Sequence, residues 1–150
     1  MDFQFDYSKT SKEELSLEHL RFFYYDVAKW SELSQLVELG NNELLDTASK
    51  LDIKLTPIEK IAQAKPDTNE IIFEVRNSET YQSALLRHLR NSFSHFRITY
   101  THDNSYFLLK DKDETAYTML GHVKYEYLKK LIFELRNYHE ESITSDNLEI

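Results

Sequence analysis

The sequence predicts a mainly α fold, a helical bundle with a small antiparallel β-hairpin or sheet inserted before its last helix. Three observations predict it. Among 150 residues there are only two Gly and two Pro, so little interrupts a helix. Apolar residues recur at helical spacing through long stretches. After residue 97 the period changes to two, and Asp103-Asn104 supplies a turn. A chain of this length buries roughly two thirds of its unfolded surface and needs no disulfide or metal to hold a core. It has no Cys, which excludes disulfides, thiol nucleophiles and thiolate metal sites and fits a cytoplasmic setting. No apolar run approaches the roughly 20 residues of a membrane span, and the first six residues lack the basic start of a signal peptide, so no membrane partner is expected.

The first helix is predicted to begin near Ser11, where Ser11-Lys12-Glu13-Glu14 spells a capping box. Leu17, Leu20, Tyr24, Val27 and Leu36 follow at near-helical spacing, Phe23, Trp30 and Leu33 widen the stripe, and Gly40-Asn41-Asn42 ends it. A shorter helix carries Leu44, Leu45 and Ala48. Another is expected from Thr56-Pro57-Ile58-Glu59, with Thr as cap and Pro at the first helical position. Pro66-Asp67-Thr68-Asn69 breaks the chain. Glu70 to Val75 stays open between a strand and a helical turn, because periodicity does not separate the two in so short a run. From about Ser78 to about Phe96 a helix presents Leu85, Leu86, Leu89, Phe93 and Phe96 on one side. Ile98 and Tyr100 begin a hairpin completed by Tyr106 to Lys110, and Ala116 to Leu120 adds a third strand. Gly121 separates that strand from a last helix bearing Tyr127, Leu128, Leu131, Ile132, Leu135 and Tyr138. On this reading residues 1–139 form one domain and residues 140–150 an acidic, disordered tail.

The net charge of −8 is unfavourable for a general nucleic-acid binder. Its distribution is uneven. Residues 80–102 hold Arg87, Arg90, Arg97, His88, His95 and His102 and no Asp or Glu, so this window carries +3 and leaves −11 on the rest. Successive helical residues turn by about 100°, which puts Arg90, Ser94, Arg87, Asn91, His95 and His88 opposite the apolar stripe. Asn91 and His95 are four apart and can touch. Arg90 and His95 are about 140° apart and converge only through a helix end or a second chain.

Arg90-Asn91-Ser92-Phe93-Ser94-His95, preceded by Leu86-Arg87-His88-Leu89, resembles the Arg-Asn-x-x-x-His signature of the HEPN (higher eukaryotes and prokaryotes nucleotide-binding) superfamily. The order of motif helix, hairpin and closing helix is similar to that of plasmid-borne prokaryotic HEPN proteins, over about residues 15 to 139. The spacing alone is unspecific, since Arg97 and His102 repeat it. The Asn after the Arg and the placement on a polar helix face carry the likeness. Many relatives have Gly after the His, where this chain has Phe96, a ring expected to pack into the core or to narrow the cleft.

The resemblance implies a HEPN-like helical bundle that forms a homodimer and acts as a metal-independent endoribonuclease of the toxin or phage-defence class, with no cofactor. Its implied partners are single-stranded or loop RNA and an antitoxin or regulatory protein. In such a site Arg90 holds phosphate oxygens and His95 transfers protons, two jobs that suit a guanidinium and an imidazole. Asn91 orients His95, binds the phosphate, or else bonds between helices. Arg87, His88, Ser94 and Arg97 are candidate substrate-binding residues or plain surface positions. The alternative is a non-catalytic HEPN dimerisation module that binds RNA, nucleotide or a partner protein. No metal ligands are expected, because His122 and His139 lack partners at ligand spacing. The aromatic run Phe22 to Tyr25 reads as core and dimer packing, and the acidic run Asp111 to Glu114 as a solvated face.

Overall fold

The computed structural model describes residues 12–13, 15–33, 35–61, 65–101 and 105–148. Ser11 lies outside them, and the first helix is capped by Ser16, whose hydroxyl accepts from the His19 amide at 3.2 Å while His19 Nδ1 accepts from the Ser16 amide at 3.3 Å. Histidine thus takes the place of the usual Glu in a capping box. Its ring lies against Tyr100, Phe107 and Tyr125, and burial holds its pKa below the ordinary value against the pull of Glu18. Helix α1, Leu17–Arg21, runs directly into a π-helical stretch, Phe22–Lys29. The five-residue bonding of a π turn brings Phe22 and Val27 onto one side with Phe23, and all three are buried.

Helix α2, Asn41–Lys50, follows, and then the chain departs from the expected bundle. Residues 54–58 form strand β2, Lys54–Ile58, instead of starting a helix at Pro57. This strand is the sheet edge, where a residue without an N–H is tolerated. Strand β3, Glu70–Glu74, lies parallel to it, with Leu55 opposite Ile71 and Pro57 opposite Phe73. Helix α3, Tyr81–Ser94, precedes β4, Ile98–Thr101; β5, Tyr106–Lys112; and β6, Tyr117–Lys124. With β1, Lys12–Glu13, paired to β4, they make one six-stranded mixed sheet in the order β1-β4-β5-β6-β3-β2. The fold is therefore α+β, and the mainly α bundle with a small hairpin is corrected by this sheet. The run Ile71-Ile72-Phe73 showed no clear period because it is buried on both faces of the sheet.

One face of the sheet carries Ile71, Phe73, Phe107, Leu109 and Met119 into a core shared with Phe23, Leu44, Leu85, Leu89, Leu128 and Leu131 of the helices. On the other face Ile72 and Leu120 lie under Ile61. Gly121 lies within β6 and does not end it, opposite Ile71 on β3 and Leu109 on β5. A Cβ there would stand 3.3 Å from the Leu109 Cβ and 3.3 Å from the Ile71 Cγ1. Gly121→Ala is accordingly expected to lower stability by about 1 to 3 kcal/mol in urea unfolding.

Helix α4, Tyr125–Leu148, closes the core with Leu128, Leu131, Ile132 and Leu135. The segment expected to be a disordered tail from residue 140 is, as far as Leu148, the continuation of this helix. Arg136 pairs with Asp26 of the π-helical stretch at 2.7 Å, and His139 Nδ1 accepts from the Val37 amide at 2.9 Å. Among the described residues no helix is long and apolar enough to cross a membrane.

Candidate functional site

Helix α3 carries the Arg-Asn-x-x-x-His residues and is held at both ends. At its start, the Thr80 hydroxyl accepts from the Ser83 amide at 3.2 Å, and the Ser83 hydroxyl donates to Glu38 at 3.2 Å. A carboxylate there also suits the positive end of the helix dipole. Its flanks meet two different elements. On one side Phe93 stacks on Phe23 with ring centroids 5.9 Å apart, and on the other the Ser92 hydroxyl reaches the Lys110 carbonyl of β5 at 2.6 Å. Being clasped on both flanks widens the buried arc beyond the leucine stripe to include His88 and Ser92.

The helix sends its polar side chains in different directions. Arg90, half-buried, donates from Nη1 to the Ser31 hydroxyl at 3.1 Å and the Ser31 carbonyl at 3.3 Å, at the end of the first helix. Asn91 faces the sheet, donating from Nδ2 to Asp111 Oδ2 at 3.2 Å. His95 is the C-cap residue, exposed, with no side-chain hydrogen bond among the described residues. Within one chain, then, Arg90 and Asn91 diverge and His95 stands at the solvent edge. Ser94 is exposed beside it.

His88 is fully enclosed. Its Nδ1 lies 2.7 Å from Asp111 Oδ2 and its Nε2 lies 2.8 Å from the Glu74 carbonyl of β3. The Asp111 carboxylate and the Glu74 carbonyl are both acceptors, and the Arg87 Nη2 lies 3.4 Å from the same Nε2. Burial alone would raise the pKa of Asp111. Hydrogen bonds from His88, Asn91 and the Lys112 amide outweigh it and hold the carboxyl below its ordinary value of 3.8. Arg87 makes a two-pronged ion pair with Glu79 at 2.8 and 2.9 Å. Burial opposes that pair as well, yet the Arg87 bonds leave the Glu79 pKa lowered. Arg97 donates to the Lys112 carbonyl at 3.1 Å, with Asp111 Oδ1 at 3.9 Å.

These pairings revise the charge pattern of residues 80–102. Glu79 and Asp111, both outside the window, sit against Arg87, His88 and Arg97. Among the described residues, Arg90 is the arginine of the window with no carboxylate within ion-pair distance. His102 lies outside the described residues. Asp111, missed in the sequence as part of a solvated run, is 3 % exposed. The alternation of Phe107 and Leu109 carried two residues further would have placed it toward α3.

A cleft of about 380 Å³ opens beside Asn91, lined among others by Glu74, Arg76, Arg87, Asp111 and Lys112. It lies on the Asn91 flank of α3, with neither Arg90 nor His95 in its wall. Among the described residues no three His, Asp or Glu converge as metal ligands.

Past His95 the helix ends in a Schellman turn. The Arg97 amide donates to the Ser92 carbonyl at 2.8 Å and the Phe96 amide to the Phe93 carbonyl at 3.2 Å. That turn needs a left-handed residue, and Phe96 takes the position with φ 55°. Its ring is 92 % exposed, so it neither joins the core nor ends the helix differently from a glycine. Phe96→Gly is expected to raise stability by about 1 kcal/mol, read as a higher urea midpoint, since it removes the left-handed strain and no packing.

The family model described as HEPN pEK499 p136 matches residues 24–146, a span that includes α3, the hairpin and most of α4. No curated protein and no solved structure matches the chain.

Proposed function

The chain belongs to the HEPN family, and from that membership and the placement of Arg90 and His95 we propose that it is a metal-independent endoribonuclease of the toxin or phage-defence class. The observation that carries the reading is the contrast along α3: Arg87, His88 and Arg97 are matched by carboxylates, while Arg90 has neutral partners and His95 has none among the described residues. A cation without a counter-charge and an exposed imidazole are what phosphate binding and proton transfer require.

HEPN domains generally dimerise, and pairing two motif helices supplies what a single chain separates. In the proposed reaction one His95 takes the proton of the RNA 2′-hydroxyl. The 2′-oxygen attacks the adjacent phosphorus, the bond to the 5′-oxygen breaks, and the His95 of the second chain protonates that oxygen as it leaves. Arg90 stabilises the charge gathering on the non-bridging oxygens. Ser31 holds its guanidinium from behind. Asn91, His88, Asp111 and the Arg87–Glu79 pair act as positioning residues that fix the height and rotation of α3. The substrate is single-stranded or loop RNA, and the acidic remainder of the chain disfavours general binding to nucleic acid.

One observation favours a second reading, a non-catalytic HEPN module that binds RNA, nucleotide or a partner protein. Arg90 and Asn91 already spend hydrogen bonds within the fold, on Ser31 and Asp111. Incubation of mixed RNA in EDTA with the wild type, His95→Ala and Arg90→Ala separates the two. Cleavage by the wild type alone is expected of the nuclease, and equal, negligible cleavage by all three leaves only the binding module.

A further inference from the structure

We propose that Phe96 is a base-stacking residue of the RNA site, holding an unstacked base beside His95; this rests on the ribonuclease reading above. The ring is 92 % exposed, the most exposed of the large apolar side chains described. Its backbone is left-handed at φ 55°, and the other non-glycine residues with positive φ, Gln35, Asp52, Asn69, Ser78 and Ser105, are all polar. A bulky apolar side chain in this conformation costs stability and here gains no packing in return. Strain kept without a folding benefit marks a position held for another role.

The ring is also presented rigidly. The amides of Phe96 and Arg97 are tied back to Phe93 and Ser92, and Ser92 is anchored to the Lys110 carbonyl of β5 at 2.6 Å. The left-handed turn directs the side chain away from the helix one residue after the exposed imidazole. A phenyl group has no polar atom with which to read a base edge, so the contact it offers is stacking on a base that has left its helix, as in single strands and loops. Charge makes the same demand. On a chain with net charge −8, affinity for RNA cannot come from general attraction to phosphate, and a stacking contact supplies it without adding cations.

The test uses the full chain on a His95→Ala background, so that RNA is bound and not cut, with a labelled single-stranded oligoribonucleotide and an abasic ribose-phosphate chain of the same length. Adding Phe96→Ala, which keeps the backbone demand and removes the ring, is expected to weaken RNA binding about 5- to 150-fold and to leave binding of the abasic chain unchanged. Phe96→Tyr is expected to restore RNA binding. Equal RNA affinity with and without the ring overturns the proposal, and so does an equal loss for both ligands. A shift from dimer to monomer in sedimentation with Phe96→Ala also overturns it, by making the ring a subunit contact. Cleavage by the wild type is measured alongside. Ring-dependent RNA binding without wild-type cleavage refutes the nuclease alone, cleavage with ring-independent binding refutes the stacking alone, and neither binding nor cleavage refutes both.

Discussion

Asp111→Ala is expected to destabilise the protein by about 3 to 5 kcal/mol in urea at neutral pH, because it breaks the buried His88–Asp111 pair. The Asp111 carboxylate accepts from His88 Nδ1, Asn91 Nδ2 and the Lys112 amide, and it is 3 % exposed. Without it the enclosed His88 ring loses its Nδ1 partner, and Asn91 Nδ2 and the Lys112 amide lose this acceptor. The double variant His88→Leu with Asp111→Leu is expected to recover part of the loss, since it replaces both members of the buried pair by apolar groups. The acid limb gives an independent check. Because the folded carboxyl lies below its ordinary 3.8, its contribution is present above that value and disappears as pH falls through the lower, folded one. The wild type should therefore lose stability more steeply below about pH 4 than Asp111→Ala does. The two acid limbs, compared by urea midpoint, decide this.

The second large effect is on chemistry. His95→Ala is expected to slow RNA cleavage by about 10² to 10⁴-fold, the usual contribution of a proton-transferring imidazole. Arg90→Ala is expected to cost about 10² to 10³-fold through lost charge stabilisation. Since His95 makes no side-chain hydrogen bond among the described residues, its removal should leave the urea midpoint unchanged. Arg90→Ala should lower it only modestly, by the net worth of the Ser31 hydrogen bonds, about 1 kcal/mol. A loss of rate accompanied by an equal fall in stability would assign both residues to the fold. Single-turnover rates with matched unfolding curves make the comparison.

The motif helix and the strand pair after it were legible because both follow simple rules, a leucine stripe at helical spacing and then alternation in Ile98–Thr101 and Tyr106–Lys112, while Asp103-Asn104 lies outside the described residues. The sheet was not. Its edge strand contains Pro57 behind a Thr, which reads equally as a helix start, and β3 is apolar on both faces and has no period to detect. Scarce glycine misled in a second way. The left-handed residues of the connections are Gln35, Asp52, Asn69, Ser78, Phe96 and Ser105, and neither glycine has a positive φ, so these turns carried no glycine signal.

The candidate site could be named from the sequence as a list of residues and not as an arrangement. Arg90, Asn91 and His95 could be picked from the sequence, whereas the partners that sort them, Ser31, Glu74, Glu79 and Asp111, come from four other places in the chain. That sorting also changes the electrostatic argument. A +3 window on an acidic chain suggested a cationic patch, but folding brings Glu79 and Asp111 against it, and among the described residues Arg90 is the arginine of the window left without a carboxylate in ion-pair reach. Doubling that charge across a dimer is what the proposed site needs.

The most direct measurement of the central claim is the end chemistry of RNA fragments made by the purified wild type in EDTA. Attack by the 2′-hydroxyl predicts fragments with a 2′,3′-cyclic phosphate and a 5′-hydroxyl, none from a substrate with 2′-deoxy sugars, and none from His95→Ala. Fragments bearing a 5′-phosphate and a 3′-hydroxyl, cleavage of the deoxy substrate, or the same fragments from His95→Ala would contradict it.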